Sequence, residues 1–127
     1  MSRSMGFQYV VLRCVPRVDR EEFVNVGVVL YSQEAGFLDC RSHVDAARLG
    51  AMAPGLDVEA VESALAAAAA VCRGDDSAGA AARAPLGTRF GFLSAPRSTV
   101  VQPGPIHGGT TDDPARHLEH LLDALVR

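Results

Sequence analysis

Lysine and tryptophan are both missing from this sequence: all 12 of its basic residues are arginine. Cysteine is scarce. Cys14, Cys40 and Cys72 are odd in number and far apart, with no C-x-x-C pair and no Cys/His cluster. That pattern argues against a disulfide framework and against the common zinc sites, so neither a structural metal nor a cofactor is expected. No apolar run approaches the ~20 residues that cross a bilayer, and Met1–Gly6 lacks the apolar core of a secretory signal. A soluble protein of a reducing cytoplasm is the expectation, with no membrane partner. Arginine without lysine, together with abundant Ala, Gly and Val, matches the usage of a high-GC bacterial genome such as an actinobacterium's.

Positive charge is also in short supply. The net charge is −3, which disfavours a general nucleic-acid binder, because such binding needs several phosphates neutralised. The distribution is uneven. Asp57–Asp76 carries five acids against Arg73 alone, whereas Ser77–Thr111 carries Arg83, Arg89 and Arg97 and no acid. The second half therefore offers either a modest anion-attracting patch or three solvated arginines.

At 127 residues and 48% hydrophobic composition the chain has the size of one domain, taken as 1–127. A chain of this length buries roughly two thirds of its unfolded surface, so it folds without a staple.

Phe7–Val15 reads as a strand apolar on both faces, hence central and covered on both sides, and Pro16 ends it. After the charged connection Arg17–Glu22, Val24–Ser32 is a second strand. Gly27 within it signals a bulge or the close approach of another backbone. Gln33–Gly36 is turn material leading to a third strand, Phe37–Arg41, so strands two and three read as a hairpin. Asp45 caps a short helix to Met52. Asp57 opens a longer one, whose apolar face is Val58, Val61, Leu65, Ala68 and Cys72 and whose stop is Gly74. Gly74–Thr88 reads as a flexible internal loop (74–88), and Phe90–Leu93 and Ser98–Gln102 as short strands. Pro103–Gly109 reads as irregular. Asp112 or Asp113 then caps a last helix striped by Leu118, Leu121, Leu122 and Leu125. The fold class is α+β: a mainly antiparallel sheet of about five strands with two or three helices.

The densest polar cluster is Arg17, Asp19, Arg20, Glu21, Glu22 and Asn25, where strand one passes into strand two. In one reading, an Arg20–Glu22 ion pair orients Asn25, whose amide bonds a turn backbone and fixes the start of the strand. In the other, Glu22 is a general base, Arg20 holds an anion and Asn25 orients it. No catalytic set is assigned. Tentative binding residues are Arg17, Arg20, Glu22 and Asn25, with His107 added because Gly108–Gly109 beside it opens backbone N–H groups to an anion. His117 and His120, three apart on a helix, have metal-ligand spacing without a third ligand, so a solvated helix flank is expected.

Tyr9–Pro16 (Tyr-Val-Val-Leu-Arg-Cys-Val-Pro) and Arg20–Leu30 (Arg-Glu-Glu-Phe-Val-Asn-Val-Gly-Val-Val-Leu) resemble the bacterial family called domain of unknown function 3037. The resemblance implies an opening strand ending near proline, the Asn-Val-Gly-Val run and a C-terminal helix. It implies no activity, cofactor or catalytic residue. Members encoded beside HipA-like kinases imply a kinase-like partner.

Two functions fit these residues. The first is a protein-interaction or accessory protein. The second is a small enzyme or anionic-ligand-binding domain using the Arg20/Glu22/Asn25 mouth. A deep pocket ringed by these residues and His107 would favour the second, and an exposed apolar patch the first.

Overall fold

A computed structural model describes residues 3–127. Five strands, β1 (Met5–Cys14), β2 (Val24–Ser32), β3 (Phe37–Ser42), β4 (Val101–Pro103) and β5 (His107–Thr111), form one antiparallel sheet. Strands β3, β2 and β1 lie side by side, and β4 and β5 both pair with the far edge of β1. Between β3 and β4 the chain forms α1 (Ala46–Met52), α2 (Val58–Arg73) and α3 (Leu86–Ser94), and it ends in α4 (Pro114–Leu125). The α+β class and the β1–β2 antiparallel pairing are as expected. Four α-helices replace the two or three anticipated, and short 3-10 segments at Val18–Arg20 and Asp76–Arg83 add to them.

Both faces of the sheet are covered. On one, Val10, Leu12, Cys14, Val26 and Val29 pack against Leu49, Val61, Leu65, Val71, Phe90 and Leu93 of α1–α3. On the other, Phe7, Val28 and Leu30 meet Leu118, Leu121, Leu122 and Val126. The alternation of β1 between these two clusters explains why its sequence is apolar at nearly every position.

Residue 27 shows why the second strand carries a glycine. The β1–β2 register shifts between Leu12 and Arg13: Leu12 opposes Gly27 and Arg13 opposes Asn25, leaving Val26 as the extra residue of a bulge. A Cβ at position 27 would lie 3.1 Å from the Arg41 carbonyl and 3.4 Å from Leu65. The strand thus both bulges and admits its neighbour closely.

Residues 74–88 carry helical turns where a loop was expected. Gly74 ends α2 in the left-handed conformation (φ 69°), and the chain turns at once into 3-10 helix, kinked at Gly79, and then into α3. Arg89 holds this segment down. Its Nε donates to the Ala84 carbonyl at 2.9 Å, and its Nη1 to the carbonyls of Val71 and Cys72 at 3.0 Å each. The arginines of the second half therefore do not form a common anion patch. Arg89 is bonded to backbone, and Arg97 lies 5.0 Å from the Phe92 ring and donates to the Phe92 carbonyl. Phe90–Leu93 is helix rather than strand, because Phe90 and Leu93 share one buried face and Phe90 stacks on Tyr31 of β2, centroids 5.3 Å apart. His107–Gly109 belongs to β5 rather than to an irregular loop: His107, Gly108 and Gly109 pair with Tyr9, Gln8 and Phe7.

The three cysteines are free and buried. Burial, reinforced by Asp39, pushes the Cys40 thiol up to about 12. Burial also raises Cys72, with neighbouring Cys40 and Asp39 adding to the effect, and raises Cys14. Above the ordinary thiol value of 9.0 the unfolded chain releases protons that the folded chain keeps, so stability falls as pH rises from there toward about 12. The slope is roughly 1.4 kcal/mol per pH unit for each fully shifted thiol. Urea midpoints at pH 8 and pH 10 measure it. Wild type drops, and Cys40→Ala drops less; equal slopes for the two chains would show that Cys40 ionises in the folded state.

Candidate functional site

The β1–β2 connection, residues 15–23, projects side chains alternately to two sides. On one side Pro16, Arg17, Arg20 and Glu22 face Met52, Ala53, Pro54, Gly55 and Leu56 after α1 across an open cleft of about 410 Å³. On the other, Val15, Val18, Glu21 and Phe23 join Arg13, Gln102 and Pro103 around a shallower depression of about 260 Å³. The 3-10 turn Val18–Arg20 makes this division, and Glu21 closes it in the left-handed conformation (φ 55°, ψ 24°). A non-glycine residue held there stores a modest strain, a feature enriched where chains clamp ligands.

The structure brings three of the sequence-predicted binding residues together and separates the other two. Arg17, Arg20 and Glu22 line the first cleft. Arg20 pairs with Glu22 at 2.5 Å, as the sequence suggested, and Arg17 pairs with Asp19 at 2.7 Å. All four side chains are largely exposed, so these pairs contribute little to stability. Asn25 does not join them. Its Nδ2 donates to the Leu125 carbonyl at 3.0 Å, tying the start of β2 to the end of α4 rather than to a turn. Its Oδ1 is buried without a partner. His107 stacks on Tyr9, centroids 5.1 Å apart, and does not line the cleft. The four-residue ring of Arg20, Glu22, Asn25 and His107 is thus not assembled. His117 packs on Phe7 at 4.5 Å and meets His120 edge-on at 6.2 Å; among the described residues no group of three or more ligating side chains surrounds a metal position.

This geometry revises the role of Asn25. Truncation of Asn25 frees the Leu125 carbonyl, yet it also removes an orphaned buried acceptor. Asn25→Ala is therefore expected to cost about 1 kcal/mol, the usual net contribution of one hydrogen bond. The loss should appear as faster amide exchange in the last turn of α4. Unchanged exchange there would show that the Asn25–Leu125 bond holds nothing. Glu22→Gln should leave melting unaltered.

Sequence reading passed over Arg13, Val18 and Phe23. Arg13 was visible as the lone charge within an otherwise apolar strand. Val18 and Phe23 were visible as apolar residues in a charged connection. Val18 is 61% exposed and Phe23 45%, and they flank the same depression.

Sheet, helices and cleft together define a small α+β protein built on an antiparallel meander with a C-terminal helix across one face. Residues 9–126 match the family described as "Protein of unknown function (DUF3037)", and the chain belongs to that family. The match takes in the Arg20–Leu30 block, both sides of the β1–β2 connection and α4. Comparison with curated proteins and with solved structures finds no match. No helix among the described residues is long and apolar enough to cross a membrane.

Proposed function

We propose that this chain is a bacterial cytoplasmic interaction or accessory protein that docks a protein partner on the β1–β2 connection. The observation that carries the reading is the pair of exposed apolar side chains, Val18 and Phe23, beside the Arg13 depression. The stretch Arg17–Phe23 is otherwise Arg, Asp and Glu, and it gains nothing in solubility from presenting a valine and a phenylalanine to water. Apolar side chains rimmed by charge are the usual composition of a contact surface. A HipA-like kinase is the partner class that the family resemblance favours. The test is co-purification of the native chain with a kinase-like protein encoded beside it. Val18→Asp with Phe23→Asp is expected to release the partner while the chain still melts cooperatively as a folded domain. Retention of the partner by this double variant would remove the reading.

A second reading, a small enzyme or anionic-ligand-binding domain, draws on the 410 Å³ cleft, where Arg17, Arg20 and Glu22 do converge. Its arginines are already engaged by Asp19 and Glu22, so an anion must compete with internal carboxylates. Calorimetric titration of small dicarboxylates and phosphates into wild type and Arg20→Gln tests it; heat lost in the variant supports it, and no heat in either chain ends it.

A further inference from the structure

We infer that Arg13 is a receptor for a carboxylate, supplied by an Asp or Glu that stands beside an apolar side chain on the partner segment. The inference deepens the docking reading above and rests on it. Arg13 lies within β1, opposite Asn25 in register. Its guanidinium is clamped on two sides. The Phe23 ring centroid is 4.1 Å from Cζ, and a Cβ at Gly104 would fall 3.0 Å from Cζ, Nε and Nη2. A side chain at 104 would displace that plane by a few tenths of an ångström. Stacking on Phe23 fixes the orientation of the fork before anything binds.

What the fork lacks is an acceptor. Its Nε is buried without a hydrogen-bond partner, and so, in the facing strand, is Asn25 Oδ1. Among the described residues no carboxylate reaches Arg13. Arg3, Arg17, Arg20, Arg41, Arg73 and Arg127 all have acidic partners, and Arg89 and Arg97 have backbone carbonyls. Arg48, Arg83 and Arg116 lie exposed to water. Arg13 alone combines a buried, unpartnered Nε with the lack of any acidic or carbonyl partner, an arrangement that is costly unless an acceptor from outside the chain reaches its fork.

The surroundings choose among anions. Arg13 is the single arginine lining the depression, and Glu21 lines it too. A phosphate with up to two charges would meet one cation and one anion. A carboxylate matches the planar fork with two parallel bonds and a single charge. Val18, Phe23 and Pro103 at the rim suit an apolar side chain next to that carboxylate.

The test uses N-acetyl-phenylalaninate as probe, with its uncharged amide and inorganic phosphate as comparisons, and reads the Arg13 Nε–Hε nuclear resonance of the full chain. The acid is expected to shift that resonance saturably, the amide not to, and phosphate to shift it less. Arg13→Gln should weaken acid binding by roughly tenfold or more. Arg13→Lys, which keeps the charge and the stem but loses the fork, guards against a variant that fails to fold. An equal response to the amide, a stronger one to phosphate, or none at millimolar probe overturns the assignment. With the native partner, release by Arg13→Lys at unchanged melting temperature supports it. Retention by Arg13→Lys overturns the carboxylate receptor while leaving the docking reading intact. A wild-type chain that shows the acid-specific shift yet holds no protein does the reverse.

Discussion

Replacing Arg89 by alanine is expected to lower the melting temperature by roughly 10 °C and to open residues 76–83 to protease. One guanidinium there serves three carbonyls, those of Ala84, Val71 and Cys72. Two of these belong to the C-terminus of α2, where the helix leaves carbonyls without intrahelical donors and where a cation is favoured by the helix dipole. The third lies just before α3. Truncation therefore uncaps α2 and detaches the 3-10 segment in one step. The three bonds share one group and do not add, so the loss is set at about 3 kcal/mol, near the upper range for a charged hydrogen-bonded group. In a domain of this size that corresponds to the stated fall in melting temperature. Arg89→Lys should recover part of it, since an ammonium can reach one carbonyl pair but not all three. Limited proteolysis with mapping of the first cut checks the claim. A first cut within residues 15–23, with 76–83 intact, would show that Arg89 is not what holds the segment.

Leu30→Ala is expected to be as damaging, at about 2–5 kcal/mol, the range for emptying a leucine site in a packed core. Leu30 is fully buried, at 0% exposure, beneath α4 in the smaller of the two apolar clusters. That cluster has seven buried members, so one missing isopropyl group removes a large share of what holds α4 to the sheet. Against a usual total of about 5–15 kcal/mol the variant retains little margin. Collapse of the helix into the gap would also disturb the Asn25–Leu125 bond at its end. Leu30→Met, which conserves volume, should cost less than about 1.5 kcal/mol. Chemical denaturation of both variants measures the difference, and equal midpoints would mean that the site repacks around alanine.

How much of this was legible in the sequence varies with the kind of signal. Strand β2 falls on Val24–Ser32 as read, because β-branched runs bounded by charge and by a turn leave little choice. Helices α1, α2 and α4 start at Asp45, Asp57 and Asp113, whose side chains accept from the N–H three residues on. Capping is a local event, and local events are written locally. The errors sit where tertiary packing overrides composition. In α3, two glycines and a threonine lower helix propensity, so its residues pass for loop and strand. Yet Leu86, Phe90 and Leu93 carry the helical spacing of four and three, and it was there to be counted. Strand β5 had no such signal. Gly109 pairs with Phe7, whose ring lies 3.0 Å from where a Cβ at 109 would stand. The candidate site was half legible for a related reason. Sequence proximity gathered Arg17, Arg20 and Glu22 correctly, but Asn25 lies beyond the start of β2, where the strand turns its side chain to α4.

The placement of β4 and β5 against β1 has a consequence for the order of assembly. Strands β1, β2 and β3 follow one another in the chain and close through short connections, so their pairing is a local search. Tyr9 must wait for His107, which lies 98 residues further on (107 − 9). Contacts of such long sequence separation form slowly, because the entropy of closing the intervening chain is lost before the pairing returns anything. During synthesis the meander therefore emerges first with one side of β1 unsatisfied, and that edge stays open until nearly the whole chain has been made. The middle strand of the finished sheet is an edge strand for most of its early life. Over that interval the backbone edge of β1 at Phe7 and Tyr9 is open to pairing with any extended chain nearby.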